Sequence, residues 1–237
     1  METEIFDLFG KDIYVSRDHR FGTDALLLAR FSLPNSRDNV CDLCTGCGII
    51  PMLFHALGKP PAVCYAVEIQ QEANELLKIT VDKNTLHKRI IPVLADLTKD
   101  DELLTVPRGK MELVTVNPPY YKAGSGEERL SPAQANARHE LLCDLESVIR
   151  AASLLLKYGG MLKMCHLPER LTDIMCLMRK YGIEPKVLQF AHHRDTSDKP
   201  YLLLISGKKG GKPGLIVEKP VTVENMDREL FGASAQQ

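Results

Sequence analysis

MELVTVNPPYY, Met111–Tyr121, is the stretch from which the fold can be read outward. Leu113–Val116 is a short apolar strand that runs straight into Asn117-Pro118-Pro119-Tyr120. The two successive prolines each lack a backbone donor and have φ fixed, and the residue before a proline is held extended. The carbonyls on either side of Pro118 therefore cannot be absorbed into a sheet or a helix. A strand ending in a stiff, carbonyl-presenting turn with an aromatic ring behind it can grip a planar NH2 group and stack on the plane that carries it. Taken alone, the tetrad also reads as a stiff surface loop, because Asn and Pro are ordinary loop punctuation. The segments before it decide between the two.

Upstream, Val40–Leu43 reads as a strand, Cys44–Gly48 as a glycine-containing turn and Ile49–Leu57 as a helix. Strand Ala62–Val67 ends in Glu68 and is followed by helix Gln70–Asn84. Strand Ile90–Ala95 ends in Asp96, and Leu97–Gly109 is irregular or weakly helical before the strand into Asn117. The order is β-α-β-α-β, with apolar strands that do not alternate, which predicts a mostly parallel α/β sheet covered on both faces. Crossovers in such units are right-handed, and ligands bind at the carboxyl ends of the strands where the strand order switches. Asp42, Glu68, Asp96 and Asn117 all stand at those ends.

Beyond the tetrad, Lys122–Asn136 is a Gly-, Ser-, Glu- and Pro-rich loop, and Leu141–Lys157 has helical spacing that stops at Gly159-Gly160. Met161–Cys165 predicts a strand and Glu169–Tyr181 a helix. Val187–Ala191 and Tyr201–Ser206 predict an antiparallel closing pair, since the link between them is too short for a crossover helix. The tail carries Lys208-Lys209-Gly210-Gly211-Lys212 and a short strand at Leu215–Glu218. Ahead of the sheet, Ile5–Tyr14 and Arg20–Arg30 form an N-terminal extension, with Thr23 or Asp24 as the expected N-cap of a helix through Ala25–Ala29. The expectation is one domain over 1–237: an extension at 1–36, a ligand-binding core at 37–207, and a basic loop and tail at 208–237.

With 44% hydrophobic and 26% charged residues among 237, the composition is that of a globular protein. A net charge of −1 means that a nucleic acid would have to be met by a local patch. No apolar run approaches a membrane span, the N-terminus is acidic rather than signal-like, and the seven cysteines suggest reduced thiols in a cytoplasm. Cys41, Cys44 and Cys47 form C-x2-C-x2-C, the opening of an iron–sulfur ligand run. Gly48-Ile49-Ile50-Pro51 stands where the fourth cysteine and its proline belong, and Cys41 falls within an apolar strand, so no metal is expected.

Asp42-Leu43-Cys44-Thr45-Gly46-Cys47-Gly48 fails as a nicotinamide-type fingerprint, because Gly46-x-Gly48-x-x leads to Pro51 where a small residue is needed. Asp42 would also repel a pyrophosphate. An acid there suits a ligand that presents a cationic amine and a sulfonium.

The acid–turn–Gly-x-Gly order, with Glu68 one βα unit on and Asp96 beyond it, resembles the class I S-adenosylmethionine-dependent methyltransferases. The resemblance implies a Rossmann-like sheet of seven strands with the last antiparallel and helices on both faces. It further implies that Asp42, Cys44, Thr45 and the Gly46–Gly48 backbone hold the methionine end and that Glu68, with Ile69 beside it, accepts both ribose hydroxyls. Asp96, with Leu97 beside it, would accept from the adenine amine, while Thr23 and Asp24 reach the cofactor from the N-terminal side. Cys44 departs from the glycine usual in the family. In this light Asn117, Pro118, Pro119 and Tyr120 become catalytic candidates that orient a planar amine toward the methyl group.

Both an adenine amine and a glutamine amide fit such a grip. Relatives acting on release-factor glutamine carry a larger N-terminal bundle than the roughly 40 residues found here, and DNA adenine enzymes carry a recognition domain. The chain most resembles the compact bacterial tRNA1(Val) (adenine-37-N6)-methyltransferases over nearly its whole length. That likeness rests on Phe21-Gly22-Thr23-Asp24, Asp42–Pro51, Asn117–Tyr120, Ala137-Arg138-His139-Glu140, Gly159-Gly160, His193-Arg194 and the Lys208–Lys212 loop. It implies N6-methylation of an anticodon-loop adenine, with tRNA as partner and Lys122, Arg138, His193, Arg194, Lys208, Lys209 and Lys212 as RNA contacts. The alternatives are a protein glutamine as substrate, or a cofactor-binding module without catalysis that serves RNA association or assembly.

Overall fold

Apolar strand β3, Asn39–Leu43, lies at the centre of a parallel sheet, because a strand this apolar must be covered on both faces. The structure is a computed structural model that describes residues 3–118 and 145–223. Strand β3 pairs in parallel with β4, Val63–Glu68, on one side and with β6, Met111–Val116, on the other. Outward from β4 lies β5, Ile90–Leu94. Outward from β6 come β7, Leu156–His166, then the antiparallel β9, Leu202–Lys209, then β8, Ile183–His192. Short strands β10, Ile216–Val217, and β11, Val221–Thr222, extend the β8 edge in parallel.

The central strands thus run β5-β4-β3-β6-β7-β9-β8, mostly parallel, with β9, the last of them in sequence, antiparallel between its neighbours. Helices α2, Ile49–Ala56, and α3, Gln71–Lys83, cross over between β3, β4 and β5 as expected. They pack with α1, Thr23–Phe31, into one apolar cluster that includes Leu28, Leu53 and Leu77. Helices α4, Leu145–Leu155, and α5, Leu171–Lys180, belong to a second cluster with Ile149, Ile174 and Met178.

The N-terminal extension is a hairpin of β1, Thr3–Asp7, and β2, Asp12–Ser16. It is fastened to α3 where the Tyr14 amide donates to Thr80 Oγ1 at 3.0 Å and Asn84 Nδ2 donates to the Asp12 carbonyl. Ile13 and Val15 share the apolar cluster of α1–α3.

Two local expectations are corrected. Gly22, not Thr23 or Asp24, is the N-cap of α1, and no side chain caps it; the Asp24 carboxylate is directed across to the sheet instead. The Gly159-Gly160 pair does not follow a helix stop, since α4 ends at Leu155 and both glycines lie inside β7. A Cβ on Gly160 would sit 2.8 Å from the Met111 carbonyl oxygen, so the bare backbone there allows close strand contact at an irregularity of the β6–β7 register. The expected segment Lys122–Asn136 and the start of the helix expected from Leu141 lie outside the described residues.

Candidate active site

The turn after β3 is built to leave backbone uncovered. Cys44 has φ +57, Gly46 φ +58 and Gly48 φ +87, so the chain passes through left-handed conformations that cost a non-glycine residue about 1–2 kcal/mol. Cys44 therefore carries the strain that the family's usual glycine avoids. A Cβ on Gly48 would lie 2.3 Å from Leu77 Cδ1, which explains the absence of a side chain where α2 and α3 meet. Among the described residues a Cβ on Gly46 would meet nothing within 4 Å, so that side of the turn is open there.

Carboxylates flank the turn, each in a different state. Asp42 is fully buried: its Oδ1 accepts the Thr115 hydroxyl at 2.5 Å and its Oδ2 accepts the Thr45 hydroxyl at 2.6 Å. Burial pushes its pKa up to about 7, against the two threonine donors and with help from the charge of Glu68. Asp42, expected to help hold the methionine end, has both oxygens engaged by these threonines, which brace β3, the turn and β6. Thr45 is likewise buried, with its hydroxyl committed to that brace. Thr115, which sequence reading did not single out, is the register partner of Asp42 on β6.

Glu68, at the end of β4, is also buried, and three backbone N–H groups hold it: Gly46 on Oε2 at 2.8 Å, Ile69 and Gln70 on Oε1 at 3.0 and 2.9 Å. Burial raises its pKa, and those donors and the charge of His19 pull against it. A carboxylate has about four lone-pair sites, and backbone donors already engage three of those on Glu68, the acid expected to accept both ribose hydroxyls. His19, which the sequence did not flag, is buried beside this site with its Nε2 3.6 Å from Glu72.

Asp96, past the end of β5, is half-buried, and its Oδ1 accepts the Thr98 amide and hydroxyl at 2.9 and 2.7 Å. Burial works to raise its pKa, but the Thr98 donors and the Lys99 charge outweigh it and hold the carboxyl below its ordinary value. Leu97 beside it is buried in the second apolar cluster, and Ile69 is half-buried. An open turn between a fixed acid and a half-exposed acid suits a ligand that brings hydroxyls and positive charge, and opposes a phosphate.

Asn117 and Pro118 follow Val116, the register partner of Leu43, so they begin one strand spacing, about 4.8 Å, from the turn. Asn117 Nδ2 donates to Asp24 Oδ2 at 3.3 Å, and the Cys165 thiol donates to Asn117 Oδ1 at 3.2 Å. Thr23 is exposed at the first position of α1. Pro119, Tyr120, Lys122 and Arg138 lie outside the described residues.

The expected RNA contacts separate. His193 and Arg194 follow directly on the end of β8, level with the Asn117 edge, because Leu203 pairs with both Phe190 and His166. Lys208 pairs with Met161, midway along β7, which places it roughly 17 Å of strand away from His166. Lys209 is half-buried and donates to the Ser153 and Leu156 carbonyls at 2.5 and 2.9 Å, closing the end of α4. Lys212 offers its carbonyl to Lys186 Nζ. Lys208, Lys209 and Lys212, expected as RNA contacts, therefore lie toward the end of the sheet away from Asn117.

Cys41, Cys44 and Cys47 do not converge: Cys41 and Cys44 pack with the second apolar cluster and Cys47 with the first. Burial pushes the Cys47 thiol up to about 12 and raises that of Cys41 as well. Among the described residues no group of three His, Cys, Asp or Glu is placed to hold a metal ion.

This strand order, with an acid-flanked turn after the central strand, is a Rossmann-like methyltransferase fold. The family model described as the methyltransferase small domain matches residues 13–166, and the chain belongs to that family. Its cofactor is S-adenosylmethionine. Among curated relatives, the tRNA1(Val) (adenine(37)-N6)-methyltransferase of Aeromonas salmonicida is 24% identical over 84% of this chain and 82% of its own. Among solved structures, a protein described as a predicted O-methyltransferase of Agrobacterium tumefaciens superposes with a TM-score of 0.66 at 23% identity, over 84% of this chain and 86% of that one. The M. jannaschii protein TYW2, crystallised with AdoMet, superposes with a TM-score of 0.56 at 14% identity, over 87% and 85% of the chains.

Proposed function

We propose that this protein methylates the N6 amino group of an adenine in RNA, an anticodon-loop adenine of a valine tRNA. The observation that carries the reading is the juxtaposition of Asn117-Pro118 with the open face of the Gly46 turn, on neighbouring strand ends. The names of the relatives supply the substrate class. The proposal treats 1–237 as one unit acting in the cytoplasm, with an extension at 1–36, a core at 37–207 and a tail at 208–237. Among the described residues no helix is long and apolar enough to cross a membrane.

Bound S-adenosylmethionine supplies an electrophilic methyl group on a sulfonium sulfur. In this reading the Gly46–Gly48 backbone receives the methionine end, Glu68 takes a ribose hydroxyl and Asp96 accepts from the cofactor's adenine amine. Asn117 Oδ1 and the Pro118 carbonyl each accept one N–H of the substrate amine, whose lone pair is otherwise delocalised into the ring. With both protons engaged, the nitrogen turns its lone pair toward the methyl carbon. Nitrogen gains the methyl group as the carbon–sulfur bond breaks, and a proton leaves the amine to water. Positioning and electrostatics carry the step, and no general base is required. A single-stranded loop is the natural substrate, since a duplex hides the amine.

Incubating the purified chain with labelled S-adenosylmethionine and unmodified tRNA, then identifying the modified nucleoside by mass spectrometry, tests the reading. Transfer to a release-factor fragment and not to tRNA would move the substrate to glutamine. Within this reading His193 and Arg194 contact the RNA. Arg194→Glu should weaken tRNA binding and reduce the salt slope by about 1, one phosphate contact's worth. Reversing Lys208 to Glu should leave both unchanged, and the opposite result would relocate the RNA path.

Glu68→Gln should weaken S-adenosylmethionine binding by about 1.5–3 kcal/mol, the scale for loss of a charged hydrogen bond. Calorimetry on the folded variant checks this, and unchanged affinity would remove Glu68 from the site.

A further inference from the structure

Asn117 is held by groups that come from distant parts of the chain. Asp24 lies 93 residues away at the start of α1, and Cys165 lies 48 residues away at the end of β7. A primary amide turned over about its last bond exchanges oxygen for nitrogen with almost no change in shape. Reversed, Asn117 would present a hydrogen-bond donor to a substrate amine that itself only donates along those bonds, and the grip would fail. Something must select the orientation.

A carboxylate can only accept, so Asp24 Oδ2 at 3.3 Å takes the Nδ2–H and would repel the oxygen of the reversed amide. The Cys165 thiol donates to Oδ1 at 3.2 Å from a fully buried position where no water competes. A carbonyl oxygen has two lone pairs, so it can accept from the thiol and from one N–H of a substrate amine together. We propose that Asp24 and Cys165 are positioning residues that fix the Asn117 amide with its oxygen toward the substrate amine. This rests on the proposed function and deepens it.

The surroundings support a fixed arrangement. Ala25–Ala29, directly after Asp24, are all buried, which anchors α1 against the sheet. A Cβ on Gly22 would come within 2.6 Å of Asp24 Oδ1, so the glycine gives the carboxylate the room it occupies. Val116 pairs with Met164 in parallel register, so the next residues on the two strands, Asn117 and Cys165, are neighbours by construction. Asp24 thereby acts through Asn117, where the sequence had assigned it to the cofactor.

The test measures methyl transfer to unmodified tRNA and S-adenosylmethionine affinity for the full chain and its variants. Asp24→Ala should lower kcat by about thirtyfold or more, with cofactor Kd within about twofold of wild type. Asp24→Asn, which keeps the size of the side chain but tolerates both amide orientations, should fall between them. Asp24→Ala combined with Asn117→Ala should be no slower than Asn117→Ala alone, because the two act as one unit. Cys165→Ala should cost about fivefold in kcat, and Cys165→Ser, which keeps a donor, should recover to within about twofold. Additive losses in the double variant, a drop explained wholly by cofactor affinity, or equal Ala and Ser variants at position 165 would each overturn the proposal. Wild-type-like Asp24→Ala beside an inactive Asn117→Ala would refute the positioning role and leave the proposed function standing. A fully active Asn117→Ala, or no transfer to RNA by the wild type, would bring both down.

Discussion

Asn117→Ala should lower kcat for methyl transfer by about 10²–10³, the effect of deleting one preorganised hydrogen-bond partner from a reacting group. The side chain is half-buried at the end of β6 and hydrogen-bonds Asp24 and Cys165, so truncation should leave the pairing of β6 and the Gly46 turn intact. Affinity for S-adenosylmethionine should remain within about twofold, because the lost acceptor serves only the substrate amine. Binding to tRNA should also persist, since it rests on phosphate contacts elsewhere. Single-turnover transfer together with calorimetry and a filter-binding assay separates the three quantities. A rate within about threefold of wild type would remove Asn117 from the reaction, and a parallel loss of cofactor affinity would place it in the cofactor pocket instead.

The sheet was legible because its strands are apolar without alternation and each carries a polar residue at or just past its end. Leu43, Glu68, Leu94 and Val116 close β3, β4, β5 and β6, and the candidate acids and Asn117 stand beside these ends. The antiparallel β8–β9 pair was equally readable from its short link. That same pair also fixes where the lysines lie: an antiparallel last strand carries its C-terminal residues toward the end of the sheet away from Asn117. The direction of Asp42 was not legible. A strand-end acid looks the same in sequence whether it faces a ligand or a pair of threonines, and its partner Thr115 is 73 residues away. The contacts of Asp24 and Cys165 with Asn117 are hidden for the same reason, since tertiary register, not local propensity, creates them.

Replacing Asp42 with asparagine should flatten the pH dependence of stability between about pH 4 and pH 7. In the folded chain burial lifts the Asp42 carboxyl from 3.8 to about 7. An unfolded chain releases this proton near 3.8 while the folded chain keeps it, so across that window the native state binds one proton more. Stability from this group is complete below the unfolded value and is lost as pH rises through about 7, where the carboxylate must ionise without water and near Glu68. The shift corresponds to roughly 4 kcal/mol over the window. The amide of the Asp42→Asn variant would stay neutral throughout, with its oxygen accepting one threonine hydroxyl and its nitrogen donating to the other. The variant should therefore match wild type near pH 4 and exceed it by up to about 4 kcal/mol near pH 8. Urea unfolding of both proteins across that range gives the difference directly. His55 and His166, held down at about 4 chiefly by burial, shift stability in the opposite sense, but they are common to both proteins and cancel. A difference that stays constant with pH would mean that Asp42 ionises normally in the folded state, and that the brace between β3 and β6 is an ionic one.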